Sequence, residues 1–320
     1  MLKKFLELSP YIEVITRRLY WRSALLVDIF TRYKKMHPRS AEINISTSSF
    51  NNIELFILKH VDLVNRIAIV HSSFEALQGC GLSGNQIIDR LLALVGDNGT
   101  LAMPAFPVYK EEPVGIKRMY QDVSMITLRY DLQRSIPWTG ALPFRLMRRK
   151  GAIRSPHPLN SMVAIGPLAL KMMDGNLKEN GDLPCGKNSA WKFCADNDAA
   201  IIALGIDLAH SLTMIHVAED VYEKEWPIKG WYRDRKAVVI NNGVERKIIV
   251  RERHPKWAQY FAERTLSKDL KENGLLTSAI IDGVLVEIIS SKKLLSFLNA
   301  RISNAYPYFL IPKDSWKITS

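Results

Sequence analysis

Ile67-Ala68-Ile69-Val70-His71-Ser72-Ser73 is an apolar run that ends in three polar residues. It reads as a buried strand, because a run this short and this apolar suits the middle of a sheet covered on both faces. A turn-rich stretch, Phe74 to Gly84, follows it. From Asn85 to Val95 the apolar residues fall at Ile87, Ile88, Leu91, Leu92 and Val95, the spacing of one helix face. Gly96-Asp97-Asn98-Gly99 stops that helix. Thr100 to Phe106 is apolar again and predicts a second strand. Strand, loop, helix, turn and strand make a βαβ unit, and hence a mixed, largely parallel α/β sheet flanked by helices. His71, Ser72 and Ser73 then lie at the C-terminal edge of the first strand, where open α/β sheets bind ligands.

Downstream, Arg154-Ser155-Pro156-His157-Pro158-Leu159-Asn160-Ser161 sets a histidine between two prolines. Each proline fixes its own φ and biases the residue before it toward extended backbone. His157 is therefore held, and its side-chain type suits a general base near neutral pH. The plainer reading is an irregular loop whose histidine satisfies a nearby backbone group.

Gly79-Cys80-Gly81-Leu82-Ser83-Gly84 matches G-x-G-x-x-G, but Phe74 to Gln78 separate it from the strand. A dinucleotide site needs those glycines directly after the strand, with an acidic residue about 20 positions on. The stretch reads instead as a tight loop before a helix.

The ordered set His71-Ser72-Ser73, Gly81 and Gly84, Val95-Gly96, Gly99-Thr100-Leu101, Met103-Pro104, Gly151 to Ser155, His157-Pro158, Ser161, Thr213, His216 and Ala218-Glu219 resembles the aminoglycoside 3-N-acetyltransferase family, also called the antibiotic N-acetyltransferase family. The resemblance spans roughly residues 60 to 300. It implies an antibiotic N-acetyltransferase-like α/β fold, acetyl-CoA as co-substrate and an amine on a sugar ring as acceptor. It implies His157 as the catalytic histidine and Glu219 as the carboxylate near the reacting amine. It also implies Ser72 and Ser73, with His71, Arg154 and Ser155, along the CoA channel, and Thr213 and His216 on the substrate side. Trp138-Thr139-Gly140 and Pro143-Phe144 stand where the family carries a Met-Gly and a Pro-Glu pair. No metal is expected. Aminolysis of a thioester needs a base for the attacking nitrogen; His157 oriented by Glu219 is the expected arrangement, with His71 and His216 as second-line candidates.

The chain has 320 residues, 47% of them hydrophobic, enough for a sizeable core. Three cysteines without metal-site spacing suit a reducing cytoplasm. No apolar run reaches the length of about 20 residues that a membrane span needs. No interleaved basic and aromatic pattern singles out nucleic acid, so none is expected as a partner.

The formal net charge is +12, and residues 1–40 alone contribute +6. A basic protein attracts anions, so the sign points to an anionic amino sugar, nucleotide-linked or glycan-linked, in surface-polysaccharide biosynthesis. An aminoglycoside-modifying enzyme, a sugar O-acetyltransferase and a non-catalytic membrane- or nucleic-acid-binding scaffold are the alternatives. Residues 1–52 read as a basic amphipathic helical extension and linker ahead of an acetyltransferase domain over 53–320. Leu8, Ile12, Ile15 and Leu19 predict one helix; Leu25, Leu26, Ile29, Phe30 and Tyr33 predict another. These helices would pack on the domain, bring two copies together as a homodimer, or lie on the inner membrane surface through residues 1–35. His37 to Asn52 reads as the linker. Near the C-terminus, Asn241-Asn242-Gly243 predicts a hairpin turn between residues 236–240 and 246–250. Trp257 to Leu266 suggests a helix, Gly274 to Ile289 a strand pair, and Ser291 starts a last helix. Arg251, Arg253 and His254 read as a solvated basic cluster.

Overall fold

The computed structural model describes residues 8–23 and 49–317, with residues 6, 25 and 29. In chain order its strands are β1 (Ile67–Ser72), β2 (Thr100–Pro104), β3 (Thr127–Asp131), β4 (Ile153–Arg154), β5 (Met162–Ile165), β6 (Ala200–Leu204), β7 (Tyr232–Asn241), β8 (Val244–Arg253), β9 (Leu276–Ile281) and β10 (Val284–Ser290). Seven form the main sheet, in the order β4-β5-β2-β1-β6-β10-β9. β1 pairs in parallel with β2 and with β6, and these three buried strands are its centre. The flanking pairings are antiparallel, yet β4 and β9 again point the same way as the centre.

The two faces of β1 feed two cores. Ile67 and Ile69 enter one, Ala68 and Val70 the other. That alternation explains the apolar run, since a strand with a core on each side has no wet face. The helices Phe50–His60, Gly84–Val95 and Ala141–Leu146 cover one face. The helices Ala190–Asp196, Ile215–Val221, Glu263–Glu272 and Ser291–Asn299 cover the other. The predicted helix over 85–95 starts at a capping box between Ser83 and Gln86. Its end leaves no room at Gly99, where a Cβ would lie 2.2 Å from the Val95 carbonyl oxygen.

β3, β7 and β8 make a second, three-stranded sheet. The predicted hairpin forms at Asn242 and Gly243, both at positive φ as a two-residue turn requires. The predicted helix over 257–266 is split. Pro255–Tyr260 is a 3-10 segment, Phe261 bridges to Phe309, and the α-helix begins only at Glu263. The strand pair and the last helix lie where the sequence predicts them.

The first predicted amphipathic helix is present as Pro10–Arg22, capped by the Ser9 hydroxyl. It packs on the domain: Val14 is buried, and Arg17 pairs with Glu263 at 2.6 Å. Leu8, Tyr11, Ile15 and Leu19 stay exposed. Of the second predicted helix, Leu25 and Ile29 are described and helical; Leu26, Phe30 and Tyr33 lie outside the described residues, as does the expected linker up to residue 48. The end of that linker is a correction. Phe50 to Asn52 form the first turn of the helix Phe50–His60, whose buried stripe is Phe50, Ile53 and Ile57. Among the described residues no helix is long and apolar enough to cross a membrane.

Candidate active site

The His157 loop leaves β4 and is stitched down on every side. Tyr130 donates its hydroxyl to the Ser155 carbonyl at 2.7 Å, Tyr109 to Pro158 at 2.6 Å, and Trp191 Nε1 to Asn160 at 2.7 Å. His157 itself is 2% exposed. Its Nε2 faces the Asp182 carbonyl at 3.2 Å, a contact that an N–H makes as donor. Its Nδ1 lies 3.1 Å from the Leu159 amide nitrogen and 2.9 Å from the Leu159 carbonyl. Burial lowers its pKa and holds it neutral. Both ring nitrogens are thus committed to backbone. The expected pairing of His157 with Glu219 does not form.

Glu219 is paired with a different histidine. Both sit on the helix Ile215–Val221, where positions three apart share a face. His216 Nδ1 lies 2.9 Å from Glu219 Oε2. Glu219 is fully buried, whereas the His216 side chain is 19% exposed. His216 Nε2 makes no protein hydrogen bond among the described residues. This histidine therefore has a carboxylate behind it and an open nitrogen in front, the arrangement a general base needs.

Around the dyad lies a cluster that no motif in the sequence announces. Arg253 Nη1 is 3.9 Å from Glu219 Oε1, which has no hydrogen bond of its own. Arg253 comes from the end of β8 and packs over the Trp231 ring; the solvated cluster expected at residues 251–254 is corrected there. Asp220 is buried, accepting from the Tyr232 hydroxyl at 3.1 Å and from the Cys185 amide at 3.0 Å. Burial, and then the neighbouring Glu219 charge, push its pKa up to about 8. His216, Asp220 and Arg253 open onto a cleft of about 630 Å³. A smaller cavity of about 120 Å³ is lined by His216, Arg253 and Thr213. Thr213 and His216 thus share one cavity wall.

The remaining candidates divide. His71 and Ser72 end β1, with Ser73 just beyond. His71 is buried beside Trp191, its Nε2 has no partner, and burial lowers its pKa to about 4. An orphaned ring nitrogen at that strand edge is a ready contact for a polar ligand group. Arg154 and Ser155 are spent on the frame. Arg154 donates to the carbonyls of Ala105 and Ser135, both at 2.6 Å, and Ser155 Oγ donates to Asn176 at 2.8 Å.

The family model for aminoglycoside 3-N-acetyltransferase matches residues 69–303, a span that holds the sheet, the proline loop and the His216–Glu219 helix. The chain belongs to this family. One relative is aminoglycoside N(3)-acetyltransferase IX of Micromonospora chalcea, 32% identical over 161 residues, 48% of this chain and 55% of that one. The chain spans about half the length of the curated relatives it matches. The fold is that of aminoglycoside acetyltransferase AAC(3)-IIb, with a TM-score of 0.66, 20% identity and coverage of 83% and 99% of the two chains. It is likewise that of AAC-IIIb, solved as a binary complex with CoASH, with a TM-score of 0.65, 16% identity and coverage of 82% and 98%.

Proposed function

We propose that this aminoglycoside 3-N-acetyltransferase family member transfers an acetyl group from acetyl-CoA to an amine of an aminoglycoside-type amino sugar. The observation that carries the reading is the His216–Glu219 pair, a histidine hydrogen-bonded to a buried carboxylate and lining the cleft. In the proposed reaction the neutral acceptor nitrogen attacks the thioester carbonyl carbon, forming the C–N bond. His216 Nε2 takes the proton this nitrogen sheds, and Glu219 stabilises the imidazolium through Nδ1. The tetrahedral intermediate collapses, the C–S bond breaks, and the CoA sulfur leaves as thiolate and receives the proton. His71, Ser72 and Ser73 are the residues proposed to meet the CoA chain, supported by the unpartnered His71 Nε2. His157 becomes a framework residue in this reading, and His216 takes the part of the base.

The sign of the whole chain does not extend to the cleft. Glu112 and Glu252 line it together with Arg118 and Arg253, so the excess positive charge is not concentrated there. Net charge points to an anionic acceptor and to surface polysaccharide; the cleft removes the basis of that argument, and the named relatives act on aminoglycosides. The test is CoA thiol release from acetyl-CoA across a panel of aminoglycosides and nucleotide-linked amino sugars, for wild type and His216→Ala. Release with aminoglycosides, lost in the variant, is the expected result. Release that survives His216→Ala removes this histidine as the base. Release only with nucleotide-linked sugars restores the anionic acceptor.

A further inference from the structure

The helix Pro10–Arg22 ends at the cleft. Trp21, in its last turn, lines the same cavity as His216, Asp220 and Arg253. So does Trp138, which is 62% exposed and packs edge-on against Phe106. The cleft thus presents two indoles, one of them from a segment that lies outside residues 69–303.

This helix is held in place by contacts that span the chain. Glu13 is 2% exposed, and its carboxylate accepts from the backbone amides of Arg264 and Thr265 at 3.0 and 3.1 Å. Those amides are the open N-terminal donors of the helix Glu263–Glu272, whose own preceding residue, Ala262, provides no side-chain cap. Glu13 therefore caps a helix about 250 residues away, and its charge is matched to the positive end of that helix. Arg17 pairs with Glu263 and reaches the Ala258 carbonyl; Arg18 lies over the Tyr260 ring at 4.9 Å. Ala258 and Pro255 are themselves cleft residues, so the helix docks on a wall of the cavity and extends it with Trp21.

We infer that Trp21 is an acceptor-specificity residue: its indole packs against the C–H face of an amino-sugar ring, and an ammonium group on that ring gains from the indole π face. The inference rests on the cleft being the acceptor site. The chemistry is general. A sugar ring offers an apolar face with its polar groups at the edge, and an indole offers a large flat surface at little entropic cost. A cation over the same ring adds further attraction.

The test compares wild type, Trp21→Ala and Trp21→Phe, with acetyl-CoA saturating and an aminoglycoside varied. Trp21→Ala should raise the acceptor KM about tenfold, the size expected for loss of one desolvated ring–cation contact. Its kcat should stay within twofold and the acetyl-CoA KM should not move. Trp21→Phe should recover most of the loss, because a phenyl ring keeps the flat face. Thermal unfolding of each variant is followed in parallel, and Trp21→Leu, which keeps apolar bulk without a ring, takes the place of Trp21→Ala if the alanine variant does not fold. Unchanged acceptor KM in a folded Trp21→Ala, with wild type active, overturns the inference and leaves the transferase reading standing. A fall in kcat with KM unchanged also overturns it. No transfer by wild type to any amine overturns both.

Discussion

Two histidines invite comparison, one in the proline loop after β4 and one on the helix Ile215–Val221. In sequence His157 stands out between its prolines, while His216 sits in a plain helical stretch three residues before Glu219. In the structure His157 has both ring nitrogens on backbone and lies buried, while His216 has a buried carboxylate at one nitrogen and is itself a lining residue of the cleft. What decides a histidine's chemistry is which nitrogen remains free, and rigid backbone on either side says nothing of that. Flanking prolines restrict φ; the direction of the ring depends on what packs around it.

Mutation of each histidine breaks or sharpens this contrast. His216→Ala should lower kcat about 10³-fold, in the range of a lost general base, with the acetyl-CoA KM little changed. Steady-state kinetics by thiol release checks it, and a loss under tenfold would end the case for this dyad. Glu219→Gln keeps shape and loses charge, and should cost about 10²-fold in kcat. His157→Ala should act on folding instead. It leaves the Leu159 amide and the Asp182 carbonyl without their partner and opens a cavity, worth about 2–4 kcal/mol of stability. Urea unfolding should show that loss, while the folded fraction keeps kcat/KM within tenfold. If His157→Ala proves fully stable and inactive, the two residues exchange roles.

The smallest expected effect concerns Asp220. Its folded pKa stands at about 8 against an ordinary value of 3.8. Between those values the folded protein holds a proton that the unfolded chain has released. Stability therefore declines as pH rises from about 4 to about 8, and levels off above that. Asp220→Asn removes this contribution. Relative to wild type its stability in urea unfolding should fall less between pH 5 and pH 8. Parallel stability curves for the two proteins would show that Asp220 ionises freely.

The fold was legible where it depends on local patterns. Ile67 to Val70 as an apolar run, the helical spacing from Ile87 to Val95, and Asn242-Gly243 as a turn all act within a few residues. The split at Phe261 was not, because it depends on pairing with Phe309. Within the site, His216 and Glu219 are three apart on a helix, so their contact could have been read from spacing alone. Arg253 could not: β8 brings it to Glu219 across more than thirty residues of chain. The surroundings of His157 were hidden for the same reason, since Asp182, which takes its Nε2, lies 25 residues further on.

The docking of the helix Pro10–Arg22 separates two kinds of selection. The segment contributes no strand to the main sheet and no member of the His216–Glu219 pair, yet it places an indole in the cleft. Changes in acceptor range can therefore accumulate in one stretch of chain while the reacting groups in another stay fixed. The catalytic frame and the part that chooses its substrate are free to diverge at different rates, joined through the Glu13 cap and the Arg17 and Arg18 contacts.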